Sequence, residues 1–199
     1  MRRTAPLAAL CGVAALAAGC SSTPPSSFYT LSRTAPAAAA PAAVASQLAI
    51  VVGPVSIPAI VDQPQMVVTT GPNQISIDEF HRWASPLAGD ISRVVTQNLV
   101  TMLGTPRVSQ FQQALNAPFD YRVAIEVQAF VSELGEAATL DAAWIVRRSK
   151  DGKTVSGRTD LREPASEKGY DALVAAHSRA LARMSQDIAT AVRAFERTP

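Results

Sequence analysis

The chain has 199 residues, 48% of them hydrophobic, with 18 basic and 16 acidic side chains. Arg2 and Arg3 supply the whole excess of positive charge, and the remainder is formally neutral. That balance gives no electrostatic case for nucleic acid or an anionic surface as a partner. Both cysteines, Cys11 and Cys20, lie near the start, so the rest of the chain has no disulfide and is stabilised by packing.

After Arg2 and Arg3, residues Ala5 to Ala18 are almost wholly apolar and uncharged, and the run ends in Leu16-Ala17-Ala18-Gly19-Cys20. A basic start, a short apolar run and small residues before a cut site describe a secretory signal. The run is too short to span a bilayer core of about 30 Å as a helix. The cysteine directly after the small residues resembles a bacterial lipobox, with Ala17 standing where Leu is usual. Cleavage over residues 1–19 would leave Cys20 first, with a diacylglycerol on sulfur and an acyl chain on the amino group. Several chains on one residue make an anchor that a single chain does not. Ser21 is not the Asp that retains such proteins in the inner membrane, so the expected address is the periplasmic face of the outer membrane.

Residues 20–47 read as a tether rich in Ser, Pro and Ala. The low-complexity Ala35–Ala45 run predicts a semi-rigid spacer between anchor and domain. Within the tether, Phe28-Tyr29-Thr30-Leu31 carries strand-favouring side chains and predicts a short docked strand over 28–31.

The domain is expected over 48–199. Leu48, Ile50 and Val52 predict a buried strand. Pro54, Pro58 and Pro64 cannot donate to a ladder, so Gly53 to Val67 is read as an extended edge strand or loop. It is too apolar for an ordinary solvated loop, and Val55, Ile57, Ile60 and Val61 are the candidate partner contacts. Gln65–Thr70 and Gln74–Asp78 form a hairpin about Gly71-Pro72-Asn73.

Ser85 is the expected N-cap of a first helix with Pro86 at its first position. Leu87, Ile91, Val94, Val95, Leu99, Met102 and Leu103 make its apolar stripe, and Gly104 ends it. Trp83 should pack back on this helix. A short strand is expected near Val108–Phe111. Three antiparallel strands over 121–134, 138–148 and 154–162 form a meander, with Asp151-Gly152 as a turn. Val131 is placed on the inward register with Tyr121, Val123, Ile125 and Val127, and Ser132 outward. Trp144 points inward on the middle strand. A last amphipathic helix runs from Tyr170 to Phe195, with His177 at the rim of its apolar stripe. The expected fold is α+β, a single domain of antiparallel sheets with two amphipathic helices packed on them.

The chemistry-bearing residues are few. Neither His81 nor His177 has partners at metal-ligand spacing, and no phosphate loop or nucleophile elbow is present. No catalytic, metal or cofactor-binding residue is assigned, and the lipid on Cys20 is the only group expected. Asp78, Glu79 and His81 cluster before the first helix, as a solvated turn or a small binding feature.

Taken together, Phe28-Tyr29-Thr30-Leu31, the runs 53–58 and 62–67, Arg82-Trp83-Ala84-Ser85-Pro86-Leu87, Asn98-Leu99, Asp120-Tyr121-Arg122-Val123 and Leu140-Asp141-Ala142-Ala143-Trp144 resemble the ABC-type transport auxiliary lipoproteins, which include the paraquat-inducible outer-membrane lipoprotein. The resemblance implies a non-enzymatic accessory subunit, oligomeric, working with an MCE-domain protein that forms a tunnel for lipids across the periplasm. Two other classes remain open: a lipoprotein that itself carries a lipid or small hydrophobic ligand, and an envelope hydrolase.

Overall fold

The computed structural model describes residues 24–34, 47–111 and 118–197. Cys20 and the whole Ala35–Ala45 run lie outside them.

The first described strand is β1 (Ser27–Tyr29). β2 (Ile50–Ser56) follows, then a short 3-10 turn at Ala59–Val61. β3 (Gln65–Gly71) and β4 (Gln74–Trp83) form the expected hairpin about Pro72-Asn73, with β4 running well beyond the predicted end. Helix α1 (Leu87–Leu103) and β5 (Val108–Gln110) come next. The meander is β6 (Tyr121–Glu133), β7 (Ala137–Arg148) and β8 (Thr154–Pro164), and α2 (Tyr170–Arg197) closes the chain.

The fold is α+β, and its two sheets are mixed rather than purely antiparallel. A three-stranded sheet has the order β1-β4-β3, with β1 parallel to β4. A five-stranded sheet has the order β5-β2-β6-β7-β8, with β2 parallel to both neighbours. Parallel partners arise because β2 is joined to β5 and β6 through long connections that include α1. β2 is therefore interior over Ile50–Val52, where it pairs on both sides. Beyond a bulge after Val52 only β6 remains beside it, through Val55–Ile125 and Ser56–Glu126. The proline-containing stretch is thus an edge, but the edge of a strand that begins inside the sheet.

One apolar core joins both helices to both sheets. Leu87, Ile91, Val94, Val95 and Leu99 of α1 and Leu173, Leu181, Met184, Ile188 and Val192 of α2 are all buried. They meet Tyr121, Val123, Ile125 and Val127 of β6 and Leu140, Ala142, Trp144 and Val146 of β7. The inward parity of β6 changes at a bulge between Val127 and Ala129. An extra residue in one strand turns every later side chain over, so Phe130 and Ser132 point inward and Val131 is only half-buried, reversing the expected register.

Helix ends follow local chemistry. Gly104 terminates α1 in the left-handed conformation at φ 65 and donates its N–H to Val100. That backbone region costs a side-chain-bearing residue more than glycine. At the other end Pro86, not Ser85, is the cap residue, and no side chain caps the helix. The carbonyl of Pro86 accepts the Asp90 N–H at 3.1 Å.

Candidate functional site

The residues that follow the expected anchor are fastened to the domain, and that fastening is the most elaborate polar site of the described chain. β1 pairs with the far end of β4 in the register Ser27–His81, Phe28–Arg82 and Tyr29–Trp83. The carbonyl of Tyr29 accepts the Ala84 N–H at 2.8 Å. Beyond β1 the side chain of Leu31 is buried, 1% exposed, within the core.

A carboxylate on α1 holds the backbone there. Asp90 is only 4% exposed, and its Oδ2 accepts the Leu31 N–H at 2.7 Å. Arg93 braces the same carboxylate, Nε donating to Oδ1 at 2.8 Å, while its Nη2 donates to the Leu31 carbonyl at 2.7 Å. Acid and base at i and i+3 share one helix face, so a single turn of α1 satisfies both polar groups of the Leu31 backbone. On the other side, Ser178 of α2 accepts the Ser32 N–H at 3.0 Å through its hydroxyl, and its carbonyl accepts the Thr34 hydroxyl at 3.0 Å. Residues 27–34 are a strap across both helices.

The acidic cluster before α1 belongs to the same construction. Asp78 accepts the Tyr170 hydroxyl at 2.6 Å and the backbone N–H groups of Phe80 and His81 at 2.9 and 3.0 Å. Its other neighbour is His81 Nδ1, also at 3.0 Å. Burial works against the Asp78 charge, but the bonds from Tyr170, His81 and the backbone outweigh it and bring the carboxyl down to about 2. Tyr170 responds oppositely: burial and the Asp78 partner raise its hydroxyl well above the usual tyrosine range. The Tyr170 ring stacks on His81 with centroids 3.9 Å apart, and Tyr29 of the strap stacks on His81 at 5.8 Å. The cluster read from sequence as a solvated turn is a bulge in β4 that seats an aromatic column.

The candidate partner residues divide. Ile60 is half exposed, at 50%. Val55 and Ile57 are half-buried against the core. Val61 is 7% exposed and part of the core, which removes it as a surface contact. The 3-10 turn at Ala59–Val61 separates them by aiming adjacent side chains to opposite sides.

His177 is not at a rim. It is fully buried, its ring stacked on Phe130 at 3.8 Å and met edge-on by Trp83. Its Nε2 lies 2.9 Å from the Ser132 hydroxyl. Burial pushes its pKa down to about 3, so the ring is neutral. A serine–histidine contact suggests a nucleophile and base. Here Ser132 is itself 4% exposed and Phe130 lies over the ring, so the pair is walled off from any substrate. Among the described residues no three His, Cys, Asp or Glu side chains stand close enough to hold a metal.

Two clefts bear on ligand carriage. One, about 860 Å³, has the charged residues Arg107, Asp120, Arg148, Lys150 and Glu196 in its wall. The other, about 360 Å³, is more apolar and lies between Pro64, Trp83, Pro86 and Leu87. No described helix is long and apolar enough to cross a membrane.

Comparison with known proteins places this geometry. A family model described as the ABC-type transport auxiliary lipoprotein component matches residues 29–189. None of the curated proteins matches the chain. Among solved structures, an uncharacterized protein is similar at 21% identity and a TM-score of 0.69, over 85% of this chain and 99% of that one. A protein from Xanthomonas campestris is similar at 21% identity and a TM-score of 0.67, over 82% of this chain and 93% of that one. The PelC dodecamer from Paraburkholderia phytofirmans is more distant, at 11% identity and a TM-score of 0.40, over 71% and 91% of the two chains.

Proposed function

The chain belongs to the ABC-type transport auxiliary lipoprotein component family, and from that premise we propose that it is a non-catalytic accessory subunit of an MCE-type lipid transport system. It is anchored by lipid on Cys20 at the periplasmic face of the outer membrane. The carrying observation is where the family match begins. It opens at Tyr29, inside the strap that Asp90, Arg93 and Ser178 fasten, so the docked segment next to the anchor is part of what the family shares. A subunit built to hold its own membrane-proximal segment rigid suits a fixed end of an assembly.

The alternatives receive less support. A hydrophobic-ligand carrier needs an enclosed apolar pocket of some 300–1,000 Å³, whereas the cleft of about 860 Å³ is lined by charges and the apolar one of about 360 Å³ is an open cleft with Asp62 and Gln63 in its wall. A hydrolase needs an accessible nucleophile, and the Ser132–His177 pair is buried. In the proposed assembly Val55, Ile57 and Ile60 contact a neighbouring copy or the tunnel protein. Affinity purification from detergent-solubilised native membranes tests the reading. An MCE-domain protein should co-purify in fixed proportion. Co-purification with an unrelated complex and no MCE protein overturns it.

A further inference from the structure

The outer half of the β3–β4 hairpin combines exposed apolar side chains with an absence of charge. Between Asp62 and Asp78 no residue is charged. Gln74, Ile75, Ser76 and Ile77 are all exposed, so both faces of this half of β4 stand clear of the body. Ile75 and Ile77 are 46% and 45% exposed and lie on one face, two residues apart. Beside the tip, Leu134 in the β6–β7 turn is 44% exposed and faces Thr69–Pro72 across a shallow cleft. The two acids flanking Leu134 are both engaged by Arg162, Glu133 at 2.9 Å and Glu136 at 3.3 Å. Proteins ordinarily guard projecting strands with charge, and a grouped exposed apolar surface marks a contact.

The strap says what that contact is. β1 is parallel to β4 and begins opposite His81, so the chain reaches Ser27 from the side where β4 runs back toward Gln74. Cys20 is seven residues before Ser27, which places it within about 25 Å of Ser27 at full extension. Beyond the bulge at 78–81, the strand from Asp78 back to Gln74 is four residues, about 14 Å. The described chain therefore enters β1 from the side on which the hairpin tip lies, and the chain between Cys20 and Ser27 is long enough to span the hairpin.

We propose that the β3–β4 hairpin is a membrane-contacting finger, with Ile75, Ile77 and Leu134 seated in the interfacial layer of the bilayer that holds the Cys20 lipid. This rests on the reading of Cys20 as the anchor. The lipid supplies attachment, and the finger fixes which end of the domain faces the bilayer. Uncharged apolar side chains at that depth enter the headgroup boundary at no electrostatic cost.

The test uses the full chain, extracted from membranes and reconstituted into phosphatidylethanolamine–phosphatidylglycerol vesicles. Ile75→Cys, Ile77→Cys and, as control, Ile145→Cys each receive a polarity-sensitive fluorophore. Ile145 is equally exposed, at 47%, but lies toward the opposite end of β7 from Leu134. Spin-labelled lipid should quench the labels at 75 and 77 roughly threefold or more above the label at 145, with a blue shift only when vesicles are present. Equal quenching at all three sites overturns the finger. A blue shift at 75 and 77 that persists in lipid-free micelles without selective quenching also overturns it, and assigns the hairpin to a second copy. Intact mass of the same samples keeps the two readings apart. Acylated Cys20 without selective quenching removes the finger alone, and selective quenching on an unacylated chain removes the anchor alone.

Discussion

Asp90 on α1 and Leu31 in the strap are 59 residues apart in sequence, yet the carboxylate accepts the Leu31 N–H at 2.7 Å with both groups buried. This bond makes the strap segment part of the domain rather than a leash. Because β1 and residues 31–34 dock ahead of the Ala/Pro run, that run joins two points on the domain.

Replacing Asp90 with Ala leaves the Leu31 N–H without its partner and Arg93 without its carboxylate. A buried donor that loses a charged acceptor costs about 1–3 kcal/mol. Asp90→Ala should lower thermal stability by that amount and speed proteolysis within residues 27–34, while α1 and the sheets stay intact. Hydrogen exchange reads this directly through protection at Leu31. Unchanged protection at Leu31 would show that the strap is held by other contacts.

Trp144 and Gly157 are matched across β7 and β8. A Cβ added at Gly157 would stand 2.2 Å from Cζ2 of Trp144, so the indole occupies the place a side chain would take. Its Nε1 donates to Thr159 at 3.2 Å. Trp144→Ala should cost about 3–5 kcal/mol, and Gly157→Ala about 1–3 kcal/mol through overpacking. In the double variant the alanine methyl has room, so the combined loss should fall short of the sum. Denaturant melts of the three variants measure it, and strict additivity would refute the packing relationship.

His177 gives the protein an acid sensitivity with a defined sign. Its pKa is about 3 folded against 6.5 in the reference state. Between those values the unfolded chain binds the extra proton, so stability is fully present above about pH 6.5 and declines as pH falls. The slope approaches about 1.4 kcal/mol per pH unit. Asp78, brought down to about 2 from 3.8, has the same sign but acts only below about pH 4. His177→Phe should flatten the decline between pH 6.5 and 4, at a fixed cost of about 1–3 kcal/mol for leaving the Ser132 hydroxyl unpaired. A slope in that window unaltered by the substitution would assign the acid sensitivity elsewhere.

The proposed assembly contact has its own prediction. Ile60 is half exposed and Ile57 half-buried, so Ile60→Glu should leave the fold intact by circular dichroism and reduce co-purification of the partner. Ile57→Glu should do the same with a modest loss of stability from its buried part. Undiminished assembly in both variants would place the contact on another face.

Much of this fold is legible in residue order, and the exceptions have physical causes. Alternation over 121–134 and 138–148 with an Asp151-Gly152 turn marks the meander, because each inward side chain repeats at period two. The bulge after Val127 is invisible to that pattern, which is why Val131 and Ser132 exchange faces. The parallel pairing of β2 with β5 and β6 depends on connections tens of residues long and leaves no local mark. Pro86 takes the cap from Ser85 although serine has the better side chain. The clamp did leave a signal: Asp90 sits at helical spacing between Leu87 and Val94 on the apolar stripe, and a carboxylate there needs a buried partner. Its partner, Leu31, was visible only once the chain had folded.

The central claim is that this is a lipid-anchored auxiliary subunit held by Cys20. Intact-mass measurement of the protein extracted from membranes tests it most directly. The account predicts one mature species beginning at Cys20, heavier than the bare 20–199 chain by a diacylglyceryl group and one amide-linked acyl chain. A chain that begins elsewhere, or one that begins at Cys20 without added lipid, contradicts it.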